Sequence, residues 1–165
     1  MTMDALASYF PLAFALILSG LLSVVIYRDG RDYVIPNILC LAIAGLFLPA
    51  ALMLGLPLLP ALLTAFITLI VTFGLFALNL FGGGDAKLLP ALILWTGWHL
   101  TSLQFLFLMA LLGGALSIAL LVLRFLLRRR AGLPQLLQSG APIPYGIAIA
   151  MAFLGLLWQG KIFTF

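Results

Sequence analysis

Apolar residues in this 165-residue chain gather into six runs separated by short polar breaks. The runs cover 9–27, 37–54, 60–80, 87–98, 102–126 and 144–160. The first ends at Tyr27-Arg28-Asp29, the second at Gly55-Leu56-Pro57, and the third at Leu80-Phe81 ahead of three glycines. Trp98-His99 closes the fourth, Arg124 and Arg128-Arg129-Arg130 the fifth, and Trp158 with Lys161 the last. In hydrocarbon such runs must be helices, because a helix satisfies its own backbone N–H and C=O groups. A span needs ~20 residues, so the run 87–98 is too short for a comfortable crossing. It reaches across if Gly82 to Lys87 dip into a water-filled cavity. Were it re-entrant, the later loops would change sides. The pattern predicts an all-α integral membrane protein of about six transmembrane helices, forming a single domain over residues 1–165.

Composition supports that expectation. The chain is 65% hydrophobic and 7% charged, whereas soluble domains carry roughly 25% charged residues. Orientation follows from the basic residues. With six spans, the breaks at 28–36, 81–87 and 124–142 share a face, and that face holds seven of the eight: Arg28, Arg31, Lys87, Arg124, Arg128, Arg129 and Arg130. Lys161 alone falls opposite. Positive residues stay inside, so this face is expected to be cytoplasmic and both termini outside. A re-entrant 87–98 would put the arginine cluster outside, which disfavours it. The net charge of +4 is therefore a membrane signal and implies no nucleic-acid partner. Short basic clusters also meet anionic lipid headgroups, and the loop with Leu133, Leu136 and Leu137 reads as such an anchor or as a contact for a partner. No basic n-region or A-x-A site marks a cleavable leader, so the first span is expected to stay attached. The single Cys40 cannot make an internal disulfide and reads as a small buried or lipid-facing residue.

The four acids are all aspartates: Asp4, Asp29, Asp32 and Asp85. A carboxylate at the edge of hydrocarbon is costly unless it is paired, hydrated or functional. Asp85 follows Gly82-Gly83-Gly84 and opens a helix, where it reads either as an N-terminal cap or as a presented functional group; glycines there allow positive φ and close backbone approach. Asp29 and Asp32 lie in Arg28-Asp29-Gly30-Arg31-Asp32-Tyr33-Val34-Ile35-Pro36-Asn37, where each reads as a loop acid paired with an arginine. Pro36 suits the first turn of the next helix, and Asn37 can cap it. If the spans bring Asp29 and Asp85 together, two like charges cannot both ionise cheaply, so one carboxyl keeps its proton. Such a pair can hydrolyse peptides: the anion takes a proton from water and the neutral acid protonates the scissile carbonyl oxygen. No competing set stands out. His99 is expected on the far face as an interfacial anchor beside Trp98. Ser8, Ser19, Ser23, Ser102, Ser117 and Ser139 have no nearby base. Metal binding is poorly supported without a second His or any Glu, and no cofactor is expected.

At these residues the chain resembles the type IV prepilin peptidases, the bacterial branch of the GxGD membrane aspartyl proteases. Gly82-Gly83-Gly84-Asp85 with Ala86-Lys87 matches the glycine–any–glycine–aspartate motif. Asp29, ahead of Ile35-Pro36-Asn37, matches the first catalytic aspartate and its downstream signature, and Arg31 fits as well. Pro144-Tyr145-Gly146 is similar to the family's element at the last span. The resemblance implies an endopeptidase that removes leaders from pilin-like precursors at the cytoplasmic face of the inner membrane. Asp29 and Asp85 would be its catalytic pair. Gly82 and Gly84 would shape the loop, and Lys87 and Arg31 would tune charge or touch substrate. With one cysteine and no large cytoplasmic loop, the chain looks like the short, peptidase-only form of tight-adherence (Flp) pili. Tyr33 stands where a basic residue is often seen. The implied partners are precursor proteins and the bilayer, with a homodimer left open. A small transporter or proton-relay protein is the alternative use of paired intramembrane acids; a non-catalytic assembly subunit is a second, which retention of both acids disfavours.

Overall fold

The computed structural model describes residues 9–127, 135–138 and 141–163. Asp4, Ser8, Arg128 to Arg130, Leu133 and Ser139 lie outside them. The described residues form six α-helices: α1 (Phe10–Asp32), α2 (Asn37–Leu54), α3 (Leu58–Ala77), α4 (Asp85–Thr96), α5 (Leu100–Leu127) and α6 (Tyr145–Trp158). A single 3₁₀ turn, Gln135–Leu137, precedes α6. The all-α expectation holds, with no strand among the described residues. Four helices, α1, α2, α3 and α5, are long and apolar enough to cross a membrane.

The two shorter helices form the centre. In α4 every residue from Leu88 to Thr96 is buried, and α6 buries Ile149, Phe153 and Leu157 completely. α4 packs against α3 and α2 and also touches α6, which in turn packs on α1 and α5. The long helices surround this pair and turn most of their apolar surface outward: Leu41, Leu52, Phe66, Phe73, Phe107 and Ile118 are all exposed. A helix that is apolar all round suits lipid on one side and protein on the other. The short run 87–98 is thus an interior helix beginning at Asp85, and its length reflects burial among neighbours rather than exposure to lipid.

Two devices hold α4 in place. Pro90 has no N–H, which leaves the Ala86 carbonyl without its helical donor. The hydroxyl of Thr72 on α3 supplies one, at 2.9 Å. Trp95 sits near the other end of α4, where its indole N–H donates to the Ile43 carbonyl at 3.1 Å. Its ring meets Phe47 and Phe163 edge-on at 5.5 Å and 5.8 Å, an arrangement favoured by ring quadrupoles. α4 is thereby tied at its start to α3 and at its end to α2.

Candidate active site

Asp29 is a helix residue, not the loop acid its local sequence suggests. α1 runs one turn past the apolar segment 9–27, to Asp32. Its buried stripe is Ala15, Leu18, Leu22, Val25 and Asp29, the three- and four-residue spacing of a single face. Asp29 is 5% exposed and pairs with neither Arg28 nor Arg31. Those arginines take Asp32 instead, at 3.0 Å and 3.7 Å. α1 stops at Tyr33, whose left-handed φ of 53° costs a residue with a Cβ about 1–2 kcal/mol. The Tyr33 N–H caps the Asp29 carbonyl at 3.1 Å, and the chain then swings through Ile35 into α2.

The Asp29 carboxylate finds its partner across the molecule. Its Oδ2 accepts a hydrogen bond from the backbone N–H of Ile147 at 3.1 Å. Ile147 is the third residue of α6, whose own preceding residue, Pro144, supplies no side-chain cap. The first N–H groups of a helix have no internal acceptor, and negative charge is stabilised there. Asp29 therefore caps α6 from another helix. Pro144-Tyr145-Gly146 makes this possible: a β-carbon at Gly146 would lie 2.8 Å from Asp29 Oδ2 and 2.6 Å from Ile35 Cδ1. Both are closer than real carbon contacts allow, so only glycine admits the acid and Ile35 together.

Ile35 links this half of the site to the glycine loop. The position of a β-carbon on Gly84 is 3.0 Å from Ile35 Cβ, so the residue before Asp85 packs on the same side chain that packs beside Asp29. Gly82 lies against the Asp85 carboxyl itself, its β-carbon position 2.7 Å from Oδ2. These glycines do not use the positive φ open to them; those that adopt it among the described residues are Gly55, Gly97 and Gly160. The loop uses glycine for room, and its close neighbours are side chains rather than another backbone.

Asp85 is the first residue of α4 and Gly84 the capping position. Its carboxyl makes no side-chain hydrogen bond among the described residues, so the N-terminal cap reading does not hold. Burial, and after it the charge of Asp29, push the Asp85 carboxyl from 3.8 up to about 7. The pull of a helix N-terminus on negative charge is outweighed.

The remaining candidates divide. Lys87 and Asn37 meet, Nζ donating to Oδ1 at 2.9 Å, which joins the start of α4 to the start of α2. Pro36 sits just before α2 in extended conformation. Lys87 and Asn37 form the polar end of an open apolar cleft of about 690 Å³ between α2 and α3, over α4. Arg31 is apart from the pair: exposed, it donates to the Tyr27 hydroxyl at 2.6 Å. His99 and Trp98 are exposed at the opposite end, near Lys161, with which His99 lines a common pocket. Cys40 is buried. Arg124, expected among headgroup-facing cations, is instead buried against backbone carbonyls.

The chain belongs to the type IV leader peptidase family, whose model matches residues 16–118, well over half its length. The match spans both Asp29 and Asp85 and ends before α6. No curated protein and no solved structure matches the chain. Family and helices together make it a membrane-embedded peptidase that processes pilin precursors, in preference to a transporter.

Proposed function

We propose that Asp29 and Asp85 are a catalytic dyad that hydrolyses the leader peptide bond of pilin-like precursors at the cytoplasmic edge of the inner membrane. The carrying observation is the convergence of two acids 56 positions apart around Ile35, with Asp29 on Gly146-Ile147 and Asp85 behind Gly84. Their environments differ in the way a dyad requires. Asp29 accepts a backbone N–H at a helix N-terminus and acts as the anion. Asp85 holds the proton that the two share. Asp29 takes a proton from water as the oxygen attacks the scissile carbonyl carbon, and Asp85 gives its proton to the carbonyl oxygen. Asp29 then gives its proton to the leaving amine as the carbon–nitrogen bond breaks, and Asp85 takes a proton back from the intermediate's hydroxyl as the carbonyl re-forms. Gly82 and Gly84 keep the loop thin, so an extended strand can approach Asp85.

The cytoplasmic side is inferred from Arg28, Arg31 and Lys87, which lie at the same end as both acids. The precursor's membrane helix rests along the apolar cleft, with its leader emerging past Lys87 and Asn37. Co-expression with candidate precursors, followed by sizing of the products, tests the assignment. Asp29→Asn and Asp85→Asn should each lower cleavage by about 10²–10⁴-fold with membrane insertion unchanged. Processing that persists in either variant would remove that residue from the dyad.

A further inference from the structure

Arg124 lies near the end of α5 and is 8% exposed. The ion pairs among the described residues both belong to Asp32, so no carboxylate balances it. It spends its donors on three carbonyls: Nε on Leu136 at 3.0 Å, Nη1 on Ala141 at 2.8 Å, and Nη2 on Pro142 at 3.0 Å. A guanidinium offers a fixed fork of N–H groups that an ammonium cannot reproduce. This one gathers the 3₁₀ turn and the strand of chain entering α6. Two residues beyond Pro142 comes Pro144, which is fully buried, and then Tyr145. The Tyr145 ring presses on α5 where a β-carbon at Gly113 would be 2.6 Å away, and its hydroxyl lies 3.3 Å from that of Ser117, whose own proton goes to the Gly113 carbonyl at 2.7 Å. Gly113, Ser117 and Arg124 share one face of α5. All three contacts hold the segment that delivers the Ile147 N–H to Asp29.

We propose that Arg124 is a positioning residue of the peptidase: by fixing the carbonyls ahead of α6, it holds the Ile147 N–H on the Asp29 carboxylate. The inference rests on the dyad reading above. Arg124→Gln should lower kcat by roughly 10–10²-fold, as expected for slight misplacement of a reacting group, with KM within about 2-fold. Arg124→Lys, which keeps the charge but loses the fork, should fall in between. Ile147→Pro deletes the N–H at a helical first turn, where proline is tolerated, and should lower kcat similarly. In that background Arg124→Gln should cost little more, because both changes break one link. Guanidinium added to Arg124→Ala should restore part of kcat. Unchanged kcat in Arg124→Gln, or losses that multiply in full with Ile147→Pro, overturns the proposal. So does a loss of activity that tracks only the loss of folded protein in detergent, with no guanidinium rescue. If Asp29→Asn still cleaves, the dyad reading fails first, whatever Arg124 does.

Discussion

Asp85 and Asp29 are the same side chain in two settings, and the difference is electrostatic. Burial of Asp85, and after it the charge of a second carboxylate, push its carboxyl up to about 7. In the proposed mechanism it is the acid of the pair and must be neutral, which sets the sign of the pH dependence. Cleavage should fall about tenfold per pH unit once the pH rises beyond about 7, measured on purified enzyme with a soluble precursor fragment. Stability follows the same direction. A carboxyl whose folded pKa is raised favours the folded state below its ordinary value of 3.8 and loses that contribution as pH rises through about 7. Thermal unfolding in detergent should therefore show a decline over that window, and Asp85→Asn should flatten it. A melting temperature with the same decline in both proteins would place the titrating group elsewhere.

At the scale of elements, a short helix is held where hydrocarbon alone would not keep it. α4 carries a proline in its second turn, and the carbonyl this releases is buried. Thr72 answers it from α3, its one hydroxyl proton shared between the Ala86 carbonyl and the Thr68 carbonyl of its own helix, each at 2.9 Å. Thr72→Val keeps the shape but removes the donor, leaving the Ala86 carbonyl unpaired at a cost of about 1–3 kcal/mol. Because Ala86 adjoins Asp85, the same change should loosen the start of α4. The expected outcome is a lower unfolding temperature together with reduced cleavage. Thr68→Val, whose hydroxyl bonds only its own helix, should do neither. Equal effects from the two would show that the α3–α4 bond is not what anchors the helix.

At the scale of the molecule, the two candidate aspartates sit at one end and the exposed Trp98-His99 pair at the other. Asp29, Asp85, Lys87 and Arg124 share an end, whereas Trp98, His99 and Lys161 lie opposite. With Cys40 replaced by Ala, a cysteine at Arg28 should react with an impermeant maleimide only from the cytoplasmic side, and one at Lys161 only from the other. The reverse pattern would put the dyad outside and contradict the proposed function.

Hydrophobic pattern alone marked out the six helices of the described residues and the membrane habit, since hydrocarbon imposes one solution on each apolar run. It also singled out both acids, through their scarcity and the glycines beside Asp85. The stripe of Leu18, Leu22 and Val25 was there to mark Asp29 as inward-facing, had the helix been carried one turn further. Other features were decided only by packing. Nothing local to Asp29 announces that it caps a helix 118 positions away, nor does a run of arginines reveal that Arg124 turns inward onto carbonyls. The depth of α4 likewise depends on Thr72 and Trp95 meeting it from other helices. Chain-local signals report how a segment meets its solvent; which donor meets which acceptor depends on where separate helices come to rest.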